Sequence, residues 1–133
     1  MAELDGGRLF KPGSAERAVS QLMNLAGRTH RLVTGIAVYE PATDRTERAI
    51  DVHHMTMRSL TEAQVRAYVA REDPVDCAGA YKVEGLGVAL FSAMRGDDHT
   101  GIVGLPLTKL AELLARFGAE LLSFEAPSQT SLW

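Results

Sequence analysis

One short stretch, residues 76–87, concentrates the residue types that could do chemistry. It places Lys82 and Glu84 two positions apart, close to several glycines. Glycine lets a backbone approach a ligand closely. On an extended segment alternate side chains point to the same face, so a cation and a carboxylate would lie side by side. The pattern indicates either a ligand-binding ribbon or a glycine-rich turn with a surface ion pair.

Other polar residues have chemical potential as well. His53 and His54 are neighbours on a predicted strand, so their side chains point to opposite faces, and we interpret them as sheet-surface residues and not as metal ligands. Asp97 and Asp98 are interpreted as a solvated turn, with a pair of metal ligands as the alternative. Cys77 is the only cysteine. It is interpreted as a packing residue, it excludes an intramolecular disulfide, and it favours a reducing compartment.

The composition is that of one ordinary globular domain. The chain has 133 residues, of which 46% are hydrophobic and 23% charged, as is typical of single domains. Its net charge of −3 gives no electrostatic reason to expect nucleic acid or an anionic membrane as a partner. Glu3 and Asp5 stand where a signal peptide would need basic and apolar residues, and no apolar run is long enough to span a membrane.

The elements that must position these residues alternate between sheet and helix. Asp5-Gly6-Gly7 predicts the turn of a hairpin, and Ser14 and Thr61 are predicted helix N-caps. Apolar periodicity predicts helices at 15–26, 60–73 and 106–118 and strands at 29–39, 45–58 and 88–94. The ribbon, 76–87, lies between the second helix and the last strand. This order predicts an α/β fold.

Taken together, these residues resemble the Maf family of nucleoside triphosphate pyrophosphatases. The resemblance covers nearly everything from residue 4 to residue 118, in blocks at 4–13, 25–30, 33–35, 60–69, 74–81, 84–87 and 102–107. It implies a mixed sheet like that of the inosine triphosphate pyrophosphatases, with two α/β lobes and a cleft between them. It also implies cleavage of a nucleoside triphosphate to the monophosphate and pyrophosphate, a divalent cation (Mg or Mn), and a cytoplasmic location without nucleic acid or membrane partners.

The resemblance also implies residues that contact the substrate. Lys11 matches the lysine of the family's Gly-Lys-Pro motif, although Phe10 replaces the glycine. A lysine point charge suits a polyphosphate. Thr34 and Gly35 match the family's Thr-Gly strand motif.

Tyr81, Lys82 and Glu84 fall in the block that reads Gly-Ile-Gln-Gly in many relatives. Here it reads Lys-Val-Glu-Gly, which resembles the subfamily linked to 7-methyl-GTP and not the one linked to dTTP and UTP. An ionised Glu84 accepts two hydrogen bonds in parallel, which matches the two neighbouring donors on the Watson–Crick edge of guanine. Tyr81 would stack on the cationic 7-methylated ring. Lys82 would contact a phosphate or hold Glu84 in place.

The family's first strand, its Ser/Arg-rich phosphate-binding turn and the aspartate that serves as its general base have no counterpart in this sequence. The resemblance implies that this base lies upstream of Met1, so no catalytic residue and no metal ligand is assigned. We therefore expect a Maf-like domain over 1–122 that lacks the N-terminal strand or strands and helix, followed by a tail over 123–133.

The missing elements carry two further expectations. The chain is expected to be inactive, and an unpaired sheet edge predicts a homodimer. The alternative is a non-catalytic nucleotide-binding or septum-formation-related interaction module.

Overall fold

The computed structural model describes residues 1–123, which fold around a single sheet. Its strands are β1 (Ala2–Leu4), β2 (Gly7–Leu9), β3 (Thr29–Glu40), β4 (Arg45–Met57) and β5 (Phe91–Arg95), in the order β2-β1-β3-β4-β5. Three helices accompany it: α1 (Ala15–Leu25), α2 (Glu62–Glu72) and α3 (Leu107–Arg116). The α/β prediction is confirmed. Each strand pairing among the described residues is antiparallel, so the mixed sheet implied by the resemblance is not seen in this range.

The strand connections and the helix starts follow local sequence signals. Asp5 and Gly6 both take positive φ, 50° and 79°, which a tight two-residue hairpin turn requires. The Ser14 hydroxyl accepts a hydrogen bond from the Arg17 backbone N–H at 3.2 Å and so caps α1. Thr61 caps α2 in the same way, and Gln64 completes a capping box. Each predicted N-cap is therefore confirmed.

The hydrophobic core lies where α1 and α2 pack on one face of the sheet. Side chains alternate between the two faces of a strand, and Met55 and Met57 of β4 point to this face and are fully buried. Leu22 and Leu25 of α1 are completely buried in one cluster with Met57 and with the buried residues of α2. The opposite face of the sheet leaves Ile50 64% exposed.

Helix α3 packs farther along the same sheet face and is held by the loop before it. The Asp98 carboxylate accepts hydrogen bonds from the backbone and hydroxyl groups of Thr100 and Thr108, at 2.6–2.9 Å. The bonds from Thr100 and Thr108 hold the pKa of Asp98 well below its usual range. The interpretation of this pair as a solvated turn therefore holds for Asp97, whose side chain is exposed, and is wrong for Asp98, which is buried.

Two other expectations are wrong. The strand predicted at 88–94 is a 3-10 helix at Leu86–Leu90 followed by β5 at Phe91–Arg95. Residues 76–87 are not an extended ribbon but a series of turns, with 3-10 helices at Pro74–Asp76 and Ala78–Ala80. Gly79 takes a φ of 82°, and a Cβ at Gly87 would clash with the carbonyl oxygen of Lys82. The glycines of this stretch therefore close turns on the protein itself.

A histidine–tyrosine pair lies inside the core. His30 Nε2 and the Tyr81 hydroxyl are hydrogen-bonded at 2.6 Å, and Phe91 packs edge-on against the Tyr81 ring at 4.9 Å between centroids. His30 is 1% exposed. Burial lowers the pKa of His30 to about 4, since the charged imidazolium would lose its hydration.

This buried imidazole predicts a pH dependence of stability. The pKa of histidine in an unfolded chain is ~6.5, whereas burial lowers the pKa of His30 in the folded chain to about 4. Between these values the unfolded chain binds more protons, so the free energy of unfolding decreases as the pH falls. The contribution is complete above about pH 6.5 and is lost toward pH 4, by up to about 3 kcal/mol.

The measurement is urea unfolding at about pH 7.5 and about pH 5 for the parent chain, His30→Gln and a control, His54→Gln, which alters an exposed histidine. The parent and the control should lose stability between these conditions, and His30→Gln should lose measurably less. Equal losses in all three proteins would contradict the role given to His30.

Candidate functional site

Lys11 lies in an exposed segment that is tied to the 76–87 stretch. Two residues after Lys11, the Gly13 backbone N–H donates a hydrogen bond to the Val75 carbonyl at 2.9 Å. Helix α1, which starts at the end of this segment, packs against both 3-10 helices of the stretch. The structure therefore places Lys11 and the region of Tyr81, Lys82 and Glu84 on the same part of the fold, beside α1.

Lys82 and Glu84 do not form an ion pair in the described structure. The Lys82 ammonium donates to the Glu72 carbonyl at 2.9 Å, at the C-terminal end of α2, where a cation is favoured by the helix dipole. The Lys82 backbone N–H donates to the Tyr68 hydroxyl at 2.8 Å. Glu84 lies in the next turn with an exposed side chain. The carboxylate is therefore presented to solvent from a turn that Lys82 fixes on α2.

Tyr81 occupies a different environment from the one a base-stacking ring needs. Its side chain is 6% exposed and lies against His30 and Phe91. Burial raises the pKa of Tyr81 above its usual range. In this arrangement Tyr81 anchors the start of the turn that carries Glu84.

Thr34 and Gly35 lie on β3, apart from the other predicted site residues. Thr34 pairs with Asp51 across the β3–β4 ladder and points to the same face as His30. Four residues along a strand span about 13 Å, so Thr34 lies that far from the His30–Tyr81 pair. Gly35 pairs with Ile50, whose side chain points to the uncovered face. Thr34 therefore lies toward α3. Gly35 has no side chain and offers only its backbone.

Met1 is itself part of the sheet pairing. Its ammonium donates a hydrogen bond to the Val33 carbonyl at 2.9 Å, and its carbonyl accepts one from the Val33 backbone N–H at 2.8 Å. Met1 therefore extends the pairing of β1 with β3 to the position next to Thr34. The general base implied by the resemblance stays a prediction.

A buried charged cluster lies beside Thr34, and sequence reasoning missed it. Asp51 and His53 are 1% and 2% exposed, with His53 Nδ1 2.9 Å from Asp51 Oδ2. The Lys109 ammonium lies 3.3 Å from Asp51 and 3.3 Å from Asp97. The His53–Asp51 approach lacks hydrogen-bond geometry, and both His53 ring nitrogens are unsatisfied. The interpretation of His53 as a sheet-surface residue is wrong; it holds for His54, which is exposed.

One sequence signal could have revealed this cluster. Asp51 and His53 share the strand parity of Met55 and Met57, so one buried face predicts all four inside. The cluster still depends on the loop before α3, because a Cβ at Gly101 would clash with the Asp51 carboxylate. That close approach is tertiary and has no local signature.

The divalent cation that the resemblance implies would need ligands from the protein. Among residues 1–123, no three side chains of the histidine, cysteine, aspartate or glutamate type are grouped so that they could hold a metal ion. Asp51 and Asp97 are bridged by Lys109, whose charge opposes a cation there. The divalent cation implied by the resemblance is therefore not assigned to residues of this chain. Within the same range, no helix is long and apolar enough to cross a membrane.

Comparison with known proteins identifies the family of this chain. The family model described as Maf-like protein matches residues 1–117. Similar curated proteins named 7-methyl-GTP pyrophosphatase come from Syntrophotalea carbinolica (45% identical over 124 residues, 93% of this chain and 63% of that protein) and Pseudoalteromonas translucida (42% over 124 residues, 93% and 60%). A third, from Pseudomonas aeruginosa, is 42% identical over 121 residues, 91% of this chain and 63% of that protein.

The chain thus spans only 60–63% of the length of these relatives. The match nevertheless runs through each strand and helix of the described fold, because it extends from residue 1 to residue 117. A family model that matches nearly the whole chain settles its membership: this chain belongs to the Maf-like protein family.

Proposed function

We propose that this chain provides the nucleotide-recognition part of a nucleoside triphosphate pyrophosphatase whose substrate is 7-methyl-GTP. The observation that carries the proposal is the exposed Glu84 carboxylate. It lies on a turn that hydrogen bonds of Lys82 and Tyr81 hold against the rest of the fold. The similar proteins named 7-methyl-GTP pyrophosphatase support it. The reaction would break the bond between the α- and β-phosphates by attack of water and release pyrophosphate.

The exposed carboxylate suits a 7-methylated guanine better than a pyrimidine. The guanine edge offers two adjacent donors, N1–H and the exocyclic amino group, to the two oxygens of one carboxylate. Methylation at N7 gives the ring a positive charge, and a carboxylate nearby stabilises it through charge-assisted contacts. Uracil and thymine offer one donor between two acceptors, so one carboxylate oxygen would face an acceptor. Lys11 is assigned to the phosphates, and Thr34 and Gly35 on β3 remain substrate contacts that the resemblance implies.

The buried position of Tyr81 assigns it a positioning role in this proposal. Its ring is enclosed by His30 and Phe91, so it fixes the base of the turn and does not stack on the nucleobase. Lys82 likewise holds the turn through the Glu72 carbonyl. Recognition of the base then depends on Glu84 alone among these three residues.

Removing the charge from Glu84 should weaken discrimination between nucleotides. We expect Glu84→Gln to reduce the preference for 7-methyl-GTP over UTP by about 5- to 100-fold, the equivalent of roughly 1–3 kcal/mol for one unmatched hydrogen-bonding group. Titration calorimetry with each nucleotide measures the preference. Glu112→Gln, which removes an exposed carboxylate on α3, is the matched control and should change nothing. An unaltered preference in Glu84→Gln would show that Glu84 does not recognise the base.

We also propose that the 133-residue chain binds nucleotide without cleaving it. Phosphoryl transfer from a triphosphate needs a positioned metal ion and an oriented water, and residues 1–123 contain no group of three or more histidine, cysteine, aspartate or glutamate side chains that could hold a metal ion. We expect no Mg- or Mn-dependent release of pyrophosphate from 7-methyl-GTP by the purified chain. The assay is phosphate detection coupled to an inorganic pyrophosphatase. Metal-dependent turnover by the purified chain would refute this part of the proposal.

The homodimer expected from the sequence is retained as a proposal. Ile50 and Tyr39 are 64% and 55% exposed on β4 and β3, and both point to the uncovered sheet face. Burying such apolar surface against a second copy is favourable. Light scattering should give twice the chain mass for the parent and a monomer mass for Ile50→Lys, whereas Val88→Lys, at an exposed position outside the sheet, should remain dimeric. A monomeric parent would exclude the dimer.

A further inference from the structure

A groove of about 590 Å³ runs between the segment that follows β2 and the outward side of α1. Three of its lining residues are cations, Arg8, Lys11 and Arg17, and no carboxylate is among its described lining residues. The chain as a whole carries a net charge of −3. The groove is therefore a local concentration of positive charge on an otherwise acidic chain.

The helix side of the groove is a polar stripe. Arg17, Ser20, Gln21 and Asn24 follow the i, i+3, i+4, i+7 spacing that places residues on one side of a helix, and all four line the groove. The buried residues of α1, including Leu22, lie on the other side. Helix α1 thus packs one face into the core and presents guanidinium, hydroxyl and amide groups to the groove.

Phe10 organises the opposite wall. Its side chain is 65% exposed, so it contributes little to the core. The guanidinium of Arg8 lies over its ring, 5.1 Å from the centroid, an attractive cation–π arrangement. The Gln21 side-chain amide donates to the Phe10 carbonyl at 3.2 Å and ties this wall to α1. Phe10 therefore fixes Arg8 at the groove.

The groove cations lack carboxylate partners. Among residues 1–123, no carboxylate lies within 4.0 Å of the charged groups of Arg8, Lys11 or Arg17. Other cations of the same range are ion-paired, namely Arg28, Arg31, Arg45, Arg66, Lys109 and Arg116. In this range a carboxylate within that distance is also lacking at Arg48, Arg58, Arg71, Lys82 and Arg95, but none of them lines this groove. Three uncompensated cations in one groove favour an anionic ligand of matching charge.

We propose that this groove binds the phosphate chain of the nucleotide, with Arg8 and Arg17 as phosphate-binding residues beside Lys11. The inference rests on the proposed function, and it adds two residues that the family resemblance does not mark. A guanidinium binds phosphate oxygens in a bidentate fashion, and a lysine adds a point charge. The negative charge of a di- or triphosphate matches three cations, whereas a nucleic acid would need a longer basic surface.

The test uses inorganic pyrophosphate and tripolyphosphate, which have no base, and titration calorimetry on the 133-residue chain. Arg8→Gln and Arg17→Gln should each weaken binding by about tenfold, as expected for one charge-assisted contact, and Phe10→Leu should weaken it less. Arg48→Gln removes an exposed cation from β4 and should leave the affinity unchanged. Circular dichroism checks that each variant is folded. Absence of saturable binding, or equal losses in Arg48→Gln and the groove variants, would overturn the proposal.

The two proposals fail separately. If pyrophosphate binding depends on Arg8 and Arg17 while 7-methyl-GTP is not preferred over UTP, the groove is supported and the proposed substrate is excluded. If the preference for 7-methyl-GTP depends on Glu84 while Arg8→Gln and Arg17→Gln bind pyrophosphate and nucleotide as the parent does, the groove is excluded and the proposed function stands.

Discussion

The β3–β4 ladder is the constraint on which the rest of the structure depends. It pairs Thr29 with Thr56 at one end and Glu40 with Arg45 at the other, and its alternation assigns every side chain to one of two faces. One face takes α1 and α2 at the Met57 end and α3 near Asp51. A shift of β4 by one residue in this register would exchange its two faces, expose Met55 and Met57, and turn Arg48 toward the helices.

The same ladder separates the candidate site residues. Thr34 lies toward α3, and the turn that carries Glu84 lies toward α2, because the two helices occupy different lengths of one face. Lys11 belongs with the second group through the bond from Gly13 to Val75. The proposed contacts to the base and to the phosphates, Glu84 and Lys11, therefore both lie near α1 and α2. Thr34 lies farther along the same sheet face, toward α3.

Much of this architecture could be predicted from sequence because its signals are local. The hairpin at Asp5-Gly6, the caps at Ser14 and Thr61 and the long strands each depend on residues within a few positions. The course of residues 76–87 could not be predicted in this way. Its glycines indicate conformational freedom. In the fold, Gly87 lies close against Lys82 and Gly79 lies close against the Tyr81 ring. Only the folded chain shows which partner a glycine approaches.

The site was predictable in residue type more than in role. Lys82 and Glu84 were predicted to be a facing pair, yet the Lys82 ammonium is used at the C-terminus of α2, and this use is what leaves the Glu84 carboxylate without Lys82 as a partner. That matters for chemistry, since a carboxylate already paired with lysine would offer less to a cationic base. Tyr81, which the resemblance predicts to stack on the base, contributes instead through its hydroxyl, which is hydrogen-bonded to His30.

Two departures from the family pattern therefore favour the same kind of ligand. The carboxylate at Glu84 stands where many relatives have an amide, and the ring at Phe10 stands where the resemblance expects glycine. The first adds negative charge where a cationic base would lie, and the second holds the positive charge of Arg8 near Lys11. A carboxylate and a group of cations on the same part of the fold are complementary to the proposed nucleotide, whose base is positive and whose phosphates are negative. A ligand of the reverse polarity would be repelled by both, so under the proposed function these charges would orient the nucleotide as well as attract it.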